Sequence, residues 1–546
     1  MKVGTLVIFS GMIRPLLWIL FFLPLSLLAQ EQRILVDSIY NSLTLDQKIG
    51  QLFMIMVHPD RDAVKRKKHL DQIHQQHVGA IVFSKGTAAQ QQIDTKVYQY
   101  HSRIPLLVGA DAEWGMAMRL SDVSPYPFAM TLGALPHDDL IYALGKRMGE
   151  RQRHMGVHVS FSPVADVNIN PDNPIIGVRS FGDDPVRVST KAIALMKGLQ
   201  DAGVLAVAKH FPGHGASGKD SHKTLAKINR SKAALDAVEL VPFKQLIEKG
   251  VKGIMIGHLS VPALESNTSV PVSASETVMT TLLKNKMGFE GLVFTDALNM
   301  SGITNYVTHP SLSCFMAGAD VLVMPVNLKK AILSIKDAYL SGSISSIRLE
   351  HSVKKIINAK YNAQLFKQHQ KPPLSASLNP TFYDHYLKKK IAEQSIVLIH
   401  QDKNSFPIEP HSSIGYVVIG SPNDTTFIES LSRYCTLSQL SIADAKLSVN
   451  LFDKIIVGVF TDTSTPWERQ SLSRFERKIL NELSIHPNVH VVLFGNSYGL
   501  SLLSPLDRFS SVILAHEQQE AFKKVAAKIL FGKLSAIGTL PINIQQ

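Results

Sequence analysis

Ten residues carry the chemistry that is easiest to read from this chain. Lys209-His210-Phe211-Pro212-Gly213-His214-Gly215 is followed by Asp220-Ser221-His222. An acid two residues from a histidine on a glycine-containing loop is a proton-transfer unit. The imidazole titrates near neutral pH, and a neighbouring carboxylate fixes its tautomer and raises its basicity. Lys209 and His210 precede the loop and can offer directional donors to hydroxyl, carbonyl or carboxylate groups. His214, between two glycines, is as readily a pin for the turn as a reactive group.

Other unusual polar residues each follow an apolar run. Asp111, Glu113, Trp114 and Arg119 follow Leu106–Gly109. Asp166 and then Arg179, within Gly177-Val178-Arg179-Ser180-Phe181-Gly182, follow Val157–Phe161. Lys209 and His210 follow Gly203–Ala208, His258 follows Gly253–Ile256, and Asp296 follows Gly291–Phe294. One acid ending a strand is often only a helix cap. Five consecutive runs ending this way point to a shared site. A carboxylate at a strand end, facing a sugar carbon, can act as nucleophile, and Asp220 with His222 can supply the acid and base. The set holds neither of the common phosphate-cradling glycine loops and no cysteine metal pattern. His210, His214, His222 and Asp220 are ligand types, but their spacing fits no standard zinc signature and Lys209 beside them would repel a cation. No metal and no cofactor is therefore expected.

The elements that must position these groups form a regular series. Gln51–Val57, Gly79–Phe83 and Asp320–Met324 complete eight apolar runs. Stretches with helical spacing lie between runs, among them Asp138–Arg153, Val186–Ala202, Ala233–Lys249 and Ser275–Met287. Leu43-Thr44-Leu45-Asp46-Gln47 reads as a capped helix start. Eight strand–helix units predict a closed (β/α)8 barrel, whose chemistry gathers at the carboxyl ends of its strands. An open doubly wound sheet is the alternative. The barrel is expected over 30–368, a polar, proline-containing linker over 369–390, and an α/β sandwich over 391–546. The sandwich would use the runs Ser395–Ile399, Gly415–Ile419, Lys454–Val459, Val489–Phe494 and Ser511–Ala515, with a helix at Ala521–Leu530.

Residues 1–29 read as a secretory signal, with Arg14 before the apolar Pro15–Leu28 and Ala29 at the cleavage position. Met12 is an alternative start, and an uncleaved anchor is the alternative fate. A periplasmic location follows as an expectation, with no membrane anchor once the segment is removed. Cys314 and Cys435 fall in different expected domains and read as buried thiols. The net charge of +13 permits attraction to anionic polymers. The basic runs Lys65–Lys68 and Lys388–Lys390 are short enough to be solvated helix faces, and no nucleic-acid partner is expected.

The long Lys209–Gly215 motif with Asp220-Ser221-His222 resembles the signature of bacterial β-N-acetylglucosaminidases of glycoside hydrolase family 3. The resemblance extends to Asp111-Ala112-Glu113-Trp114-Gly115 with Arg119, Phe161–Val167, Arg179–Gly182, Gly257-His258, Phe294-Thr295-Asp296 and the tail Gly538-Thr539-Leu540-Pro541. It implies a retaining mechanism, with Asp296 as nucleophile and His222, supported by Asp220, as acid/base. It implies that Asp111, Arg119, Arg179, Lys209, His210 and His258 hold an amino sugar, with peptidoglycan fragments or chitin oligosaccharides as substrate. Two departures stand out: Trp114 where a glycine is expected, and Ala297 where a second acid is usual. A β-glucosidase of the same family, a phosphorylase, and a catalytically silent wall-binding protein are the competing readings.

Overall fold

The computed structural model describes residues 30–59, 62–221, 223–367, 379–420, 424–442, 444, 449–461, 470–503 and 505–544. The expected signal, residues 1–29, and His222 lie outside the described residues.

The first domain is the expected barrel. Its strands are β1 (Phe53–Val57), β2 (Ala80–Phe83), β3 (Leu107–Ala110), β4 (Val159–Ser160) and β5 (Leu205–Phe211). A short β6 (Ala226–Lys227) follows, then β7 (Gly253–Ile256), a short β8 (Leu259–Ser260), β9 (Leu292–Thr295) and β10 (Leu322–Val323). The parallel sheet runs β10-β1-β2-β3-β4-β5-β7-β9. A parallel bridge between Phe294 and Val321 brings β9 back to β10 and closes the ring. All eight sequence runs coincide with these strands because a strand buried on both faces must be apolar throughout. Inside the ring Phe161 and Phe294 meet edge-on, 5.6 Å between centroids.

The helices that wrap the ring start where local chemistry tells them to. The Thr44 hydroxyl and Gln47 form a reciprocal cap on Leu45–Gly50. Asp184 caps Pro185–Asp201, whose first residue is proline. Gly198 lets that helix lie against Asp139–His154, since a Cβ there would come within 2.2 Å of the Tyr142 carbonyl oxygen. The single helix expected over Ala233–Lys249 is two, Lys232–Ala237 and Leu240–Glu248. Pro242 has no N–H to donate to the preceding turn, so the first helix cannot continue through it.

The second domain is a six-stranded sheet: β11 (Val397–Gln401), β12 (Ser413–Gly420), β13 (Thr436–Leu440), β14 (Lys454–Phe460), β15 (Val489–Phe494) and β16 (Ser511–Leu514). The order is β11-β16-β15-β14-β12-β13, parallel except for β11 against β16. The edge strand β13 went unread in the sequence because Thr436-Leu437-Ser438-Gln439-Leu440 is mostly exposed and polar, as edges tend to be.

The linker expected over 369–390 ends earlier than that. Residues 368–378 lie outside the described residues, but Phe382–Ser395 is a helix with a Thr381–Asp384 capping box. Leu387, Ile391 and Ala392 are buried along it. Asp384 joins the domains. It accepts from Arg147 Nε at 2.9 Å, Arg151 Nη1 at 2.9 Å and Tyr126 Oη at 2.5 Å, all from the barrel side. Lys388 turns inward and donates to Ser124 Oγ at 2.7 Å, so the run Lys388–Lys390 is not a wholly solvated face. At the chain's end Thr539 N donates to the Ala134 carbonyl and Asp183 N to that of Pro541, strapping the tail onto the barrel. Cys314 and Cys435 are both free.

Candidate active site

The carboxyl ends of β3, β4 and β5 converge on one connected ionic network. Lys209, buried at the end of β5, places its Nζ 2.8 Å from Asp111 Oδ1 and 2.8 Å from Glu113 Oε1. Arg119 closes on the other oxygen of Asp111. Arg179 binds Glu113 through Nε and Nη2, both at 2.8 Å. Nη2 also reaches His210 Nε2 at 3.4 Å. On its other side His210 Nδ1 donates to Asp166 Oδ2 at 2.7 Å, which fixes the tautomer and leaves Nε2 as acceptor.

The charges in this network hold one another. Burial opposes the ionised form of Asp111, yet the Lys209 and Arg119 cations keep its carboxyl well below the usual range. Burial likewise opposes ionisation of Glu113, and Arg179 with Lys209 bring it down to about 2. Lys209 is raised despite its burial because two carboxylates face its ammonium. Asp166 is fully buried and still lowered, chiefly by the His210 imidazole. Three carboxylates and the Lys209 and Arg179 cations therefore stay charged across the neutral range. Such an array presents fixed donors and acceptors to the hydroxyls of a polar ligand without reorganising.

Asp166 also organises the turn that follows. Its Oδ1 accepts from the backbone N–H of His210 at 3.2 Å and of His214 at 2.7 Å. His214 Nε2 meets Ser221 Oγ at 2.9 Å. Burial, then the neighbouring His210, push the His214 imidazole down to about 4, so it is neutral and pins the loop. Asp220 is half-buried, and its carbonyl accepts from Lys223 N and Thr224 N.

Asp296 sits at the end of β9. Its backbone N–H donates to the Ile256 carbonyl at 3.0 Å, and its Oδ1 accepts from Ala297 N at 2.7 Å. His258, named from sequence as a ligand-binding residue, has both ring nitrogens engaged within the protein. Nδ1 meets Ser273 Oγ at 2.7 Å and Nε2 meets the Ala297 carbonyl at 3.1 Å. It braces the loop that bears Asp296. The two halves of the site abut. A Cβ on Gly257 would lie 3.2 Å from His210 Cβ, and one on Gly302 would lie 2.6 Å from the Ser221 carbonyl oxygen. The loop bearing Asp220 thus rests on the turn that follows Asp296. Among the described residues no three His, Cys, Asp or Glu side chains cluster as a metal site.

Three contributors carried too little sequence signal to be assigned a role. Glu113 stood out only as one acid among several, yet it is the hub between Arg179 and Lys209. Asn173 carried no sequence signal, and Ser221 stood out only as part of a motif. Only their three-dimensional partners give them work.

The glycosyl hydrolase family 3 N terminal domain matches residues 44–359, more than half of the chain. The chain belongs to glycosyl hydrolase family 3. Beta-hexosaminidase A of Pseudoalteromonas piscicida is 27% identical over 541 residues, covering 85% of this chain and 89% of that protein. A beta-N-acetylglucosaminidase/beta-glucosidase of Cellulomonas fimi is 27% identical over 376 residues, 66% of each chain. The structure of a family 3 beta-N-acetylglucosaminidase from Paenibacillus sp. str. FPU-7 superposes with a TM-score of 0.76 at 27% identity, over 92% of this chain and 99% of that one.

This family 3 glycoside hydrolase differs from its expected pattern at Trp114, which packs against another aromatic ring. The Trp114 ring meets Phe128 edge-on at 5.1 Å. Phe128 N in turn donates to Glu517 of the second domain at 2.9 Å. The second domain therefore reaches, through Phe128, the segment that bears Glu113 and Trp114.

Proposed function

We propose that this enzyme is a retaining exo-β-N-acetylglucosaminidase that removes terminal β-linked N-acetylhexosamine from cell-wall fragments or chitin oligosaccharides. Asp296 attacks the anomeric carbon as the bond to the leaving oxygen breaks. His222, supported by Asp220, gives its proton to that oxygen. The same histidine then takes a proton from the water that hydrolyses the glycosyl–Asp296 ester. Asp111, Arg119, Arg179, Lys209 and His210 hold the sugar. Residues 1–29 direct export to the periplasm.

One observation carries this reading. The Asp220 loop lies on the turn after Asp296, with Gly302 against the Ser221 carbonyl, beside a permanently charged cluster of hydroxyl-binding groups. The relatives named for hexosaminidase and N-acetylglucosaminidase activity favour the amino sugar. The Cellulomonas fimi relative carries glucosidase activity in its name as well, so the glucoside is the substrate to compare.

The deciding measurement is hydrolysis of a chromogenic N-acetyl-β-glucosaminide against the matching β-glucoside, each with and without inorganic phosphate. Preference for the amino sugar and indifference to phosphate are expected. Faster glucoside cleavage would overturn the substrate assignment, and release of a sugar 1-phosphate would make the enzyme a phosphorylase.

A further inference from the structure

The loop between β5 and β6 must hold Asp220 in place although it contains Gly213, Gly215 and Gly218, residues that favour many conformations. Its far end is fixed by β6, where Ala226 and Lys227 pair with Leu259 and Ser260 of β8, next to His258. Its near end is fixed by two asparagines on the segment after β4. Asn173 is 8% exposed and uses its whole amide. Nδ2 donates to the His214 carbonyl at 2.9 Å and the Gly215 carbonyl at 3.1 Å. Oδ1 accepts from Ile175 N and Ile176 N, both at 2.9 Å. Asn170 Nδ2 donates to the Ser217 carbonyl at 2.9 Å, one step further along the loop. Gly215 lies against this segment so closely that a Cβ would come within 1.7 Å of the Val167 carbonyl oxygen.

The acceptor half of Asn173 ties down the short helix Gly177–Arg179, and Arg179 Nη1 donates to the Ile175 carbonyl at 3.1 Å. One amide therefore joins the segment that presents Arg179 to the hinge of the loop that presents Asp220. Resting on the acid/base role given above to that loop, we infer that Asn173, assisted by Asn170, is a positioning residue that sets the proton donor's reach relative to the bound sugar. A purely structural asparagine would slow all substrates alike. A positioning asparagine slows those that need protonation.

The test uses Asn173→Asp in the full chain, which keeps the acceptor half and replaces the two donors with oxygen. The readout is kcat/KM for a nitrophenyl N-acetyl-β-glucosaminide, whose leaving group needs no proton, against a chitin disaccharide, whose leaving group does. His222→Ala is the reference. In N173D the disaccharide value is expected to fall on the order of 10²-fold, the nitrophenyl value far less, because a small displacement of a catalytic group costs about that much. Adding N173D to H222A should leave the ratio of the two substrates where H222A alone puts it. A shifted ratio in H222A with an unshifted one in N173D overturns the role of Asn173. An unshifted ratio in H222A overturns the acid/base reading and the role of Asn173 with it. If N173D does not fold, Asn170→Ala carries the same comparison. It should shift the ratio in the same direction, and an unshifted ratio there overturns the inference.

Discussion

Arg179 grips Glu113 by two parallel hydrogen bonds, Nε and Nη2 each 2.8 Å from a carboxylate oxygen. Both residues are buried, at 6% and 8% exposure. Removing one partner of such a pair strands the other's charge, at a cost of about 3–5 kcal/mol. Glu113→Ala should therefore lower stability by that order and weaken substrate binding together, since it releases Arg179 and one side of Lys209. Chemical denaturation and KM, measured on the same variant, check both. A stable Glu113→Ala protein with normal KM would show that the pair is dispensable. The pH dependence follows from the same bonds. The Glu113 carboxyl is held at about 2 when folded and near 4.3 when unfolded. Its contribution is complete above the unfolded value and fades as pH falls towards 2.

Asp296→Asn should abolish turnover while leaving the fold intact. The Asp296 backbone N–H and the Ala297 N–H contact persist with an amide oxygen in place of the carboxylate oxygen, so packing hardly changes. Loss of a covalent nucleophile costs up to the order of 10⁶-fold in kcat. An unchanged melting temperature with no burst of nitrophenol is the expected pair of results. Residual turnover within tenfold of the parent would remove Asp296 from the nucleophile's place.

The barrel was legible because its physics is local and repeated. Each strand is buried on both faces, so each of the eight appears as an apolar run, and the polar residue after it marks the carboxyl end. Asp111, Arg119, Arg179, Lys209 and His210 were found that way, and they meet in one network. His258 was found by the same rule, but a rule about strand ends cannot say whether a side chain faces a ligand or a neighbouring backbone. Its two nitrogens face Ser273 and Ala297. Glu113 and Asn173 matter through partners 66 and 41 residues away, and no local pattern encodes such a pairing. Residues 382–390 of the helix Phe382–Ser395 were placed in the linker because its lysines mask the buried stripe of Leu387, Ile391 and Ala392. Edge strand β13 lacks the apolar signature altogether.

Asp384 predicts how firmly the domains are joined. Its carboxylate takes donors from Arg147, Arg151 and Tyr126 of the barrel and from Thr381 of its own cap. Asp384→Asn cannot accept from all of them, and it leaves the buried Arg151 and the half-buried Arg147 guanidinium groups short of a counter-charge. A stability loss of about 3 kcal/mol or more is expected. Calorimetry should show the transition broaden or split as the two domains uncouple. A single transition at the parent temperature would mean that the apolar contacts alone hold the junction.

Lys360 supplies a second pH dependence of the same sign, in a window at higher pH. It is fully buried under the barrel, with Nζ donating to Gln51 Oε1 at 2.5 Å. Burial alone pushes its ammonium down to about 7, against about 10.4 in the unfolded chain. Between those values the unfolded state binds a proton that the folded state does not, so stability rises with pH across that window. Below about 7 both states are protonated and the folded state bears the full cost of a buried charge, of the order of a few kcal/mol. Lys360→Met fills similar volume without the charge and should remove that cost. The melting temperature of the variant should exceed that of the parent most at pH 6 and progressively less towards pH 9. A difference independent of pH, or one that grows with pH, would show that Lys360 is not the group responsible.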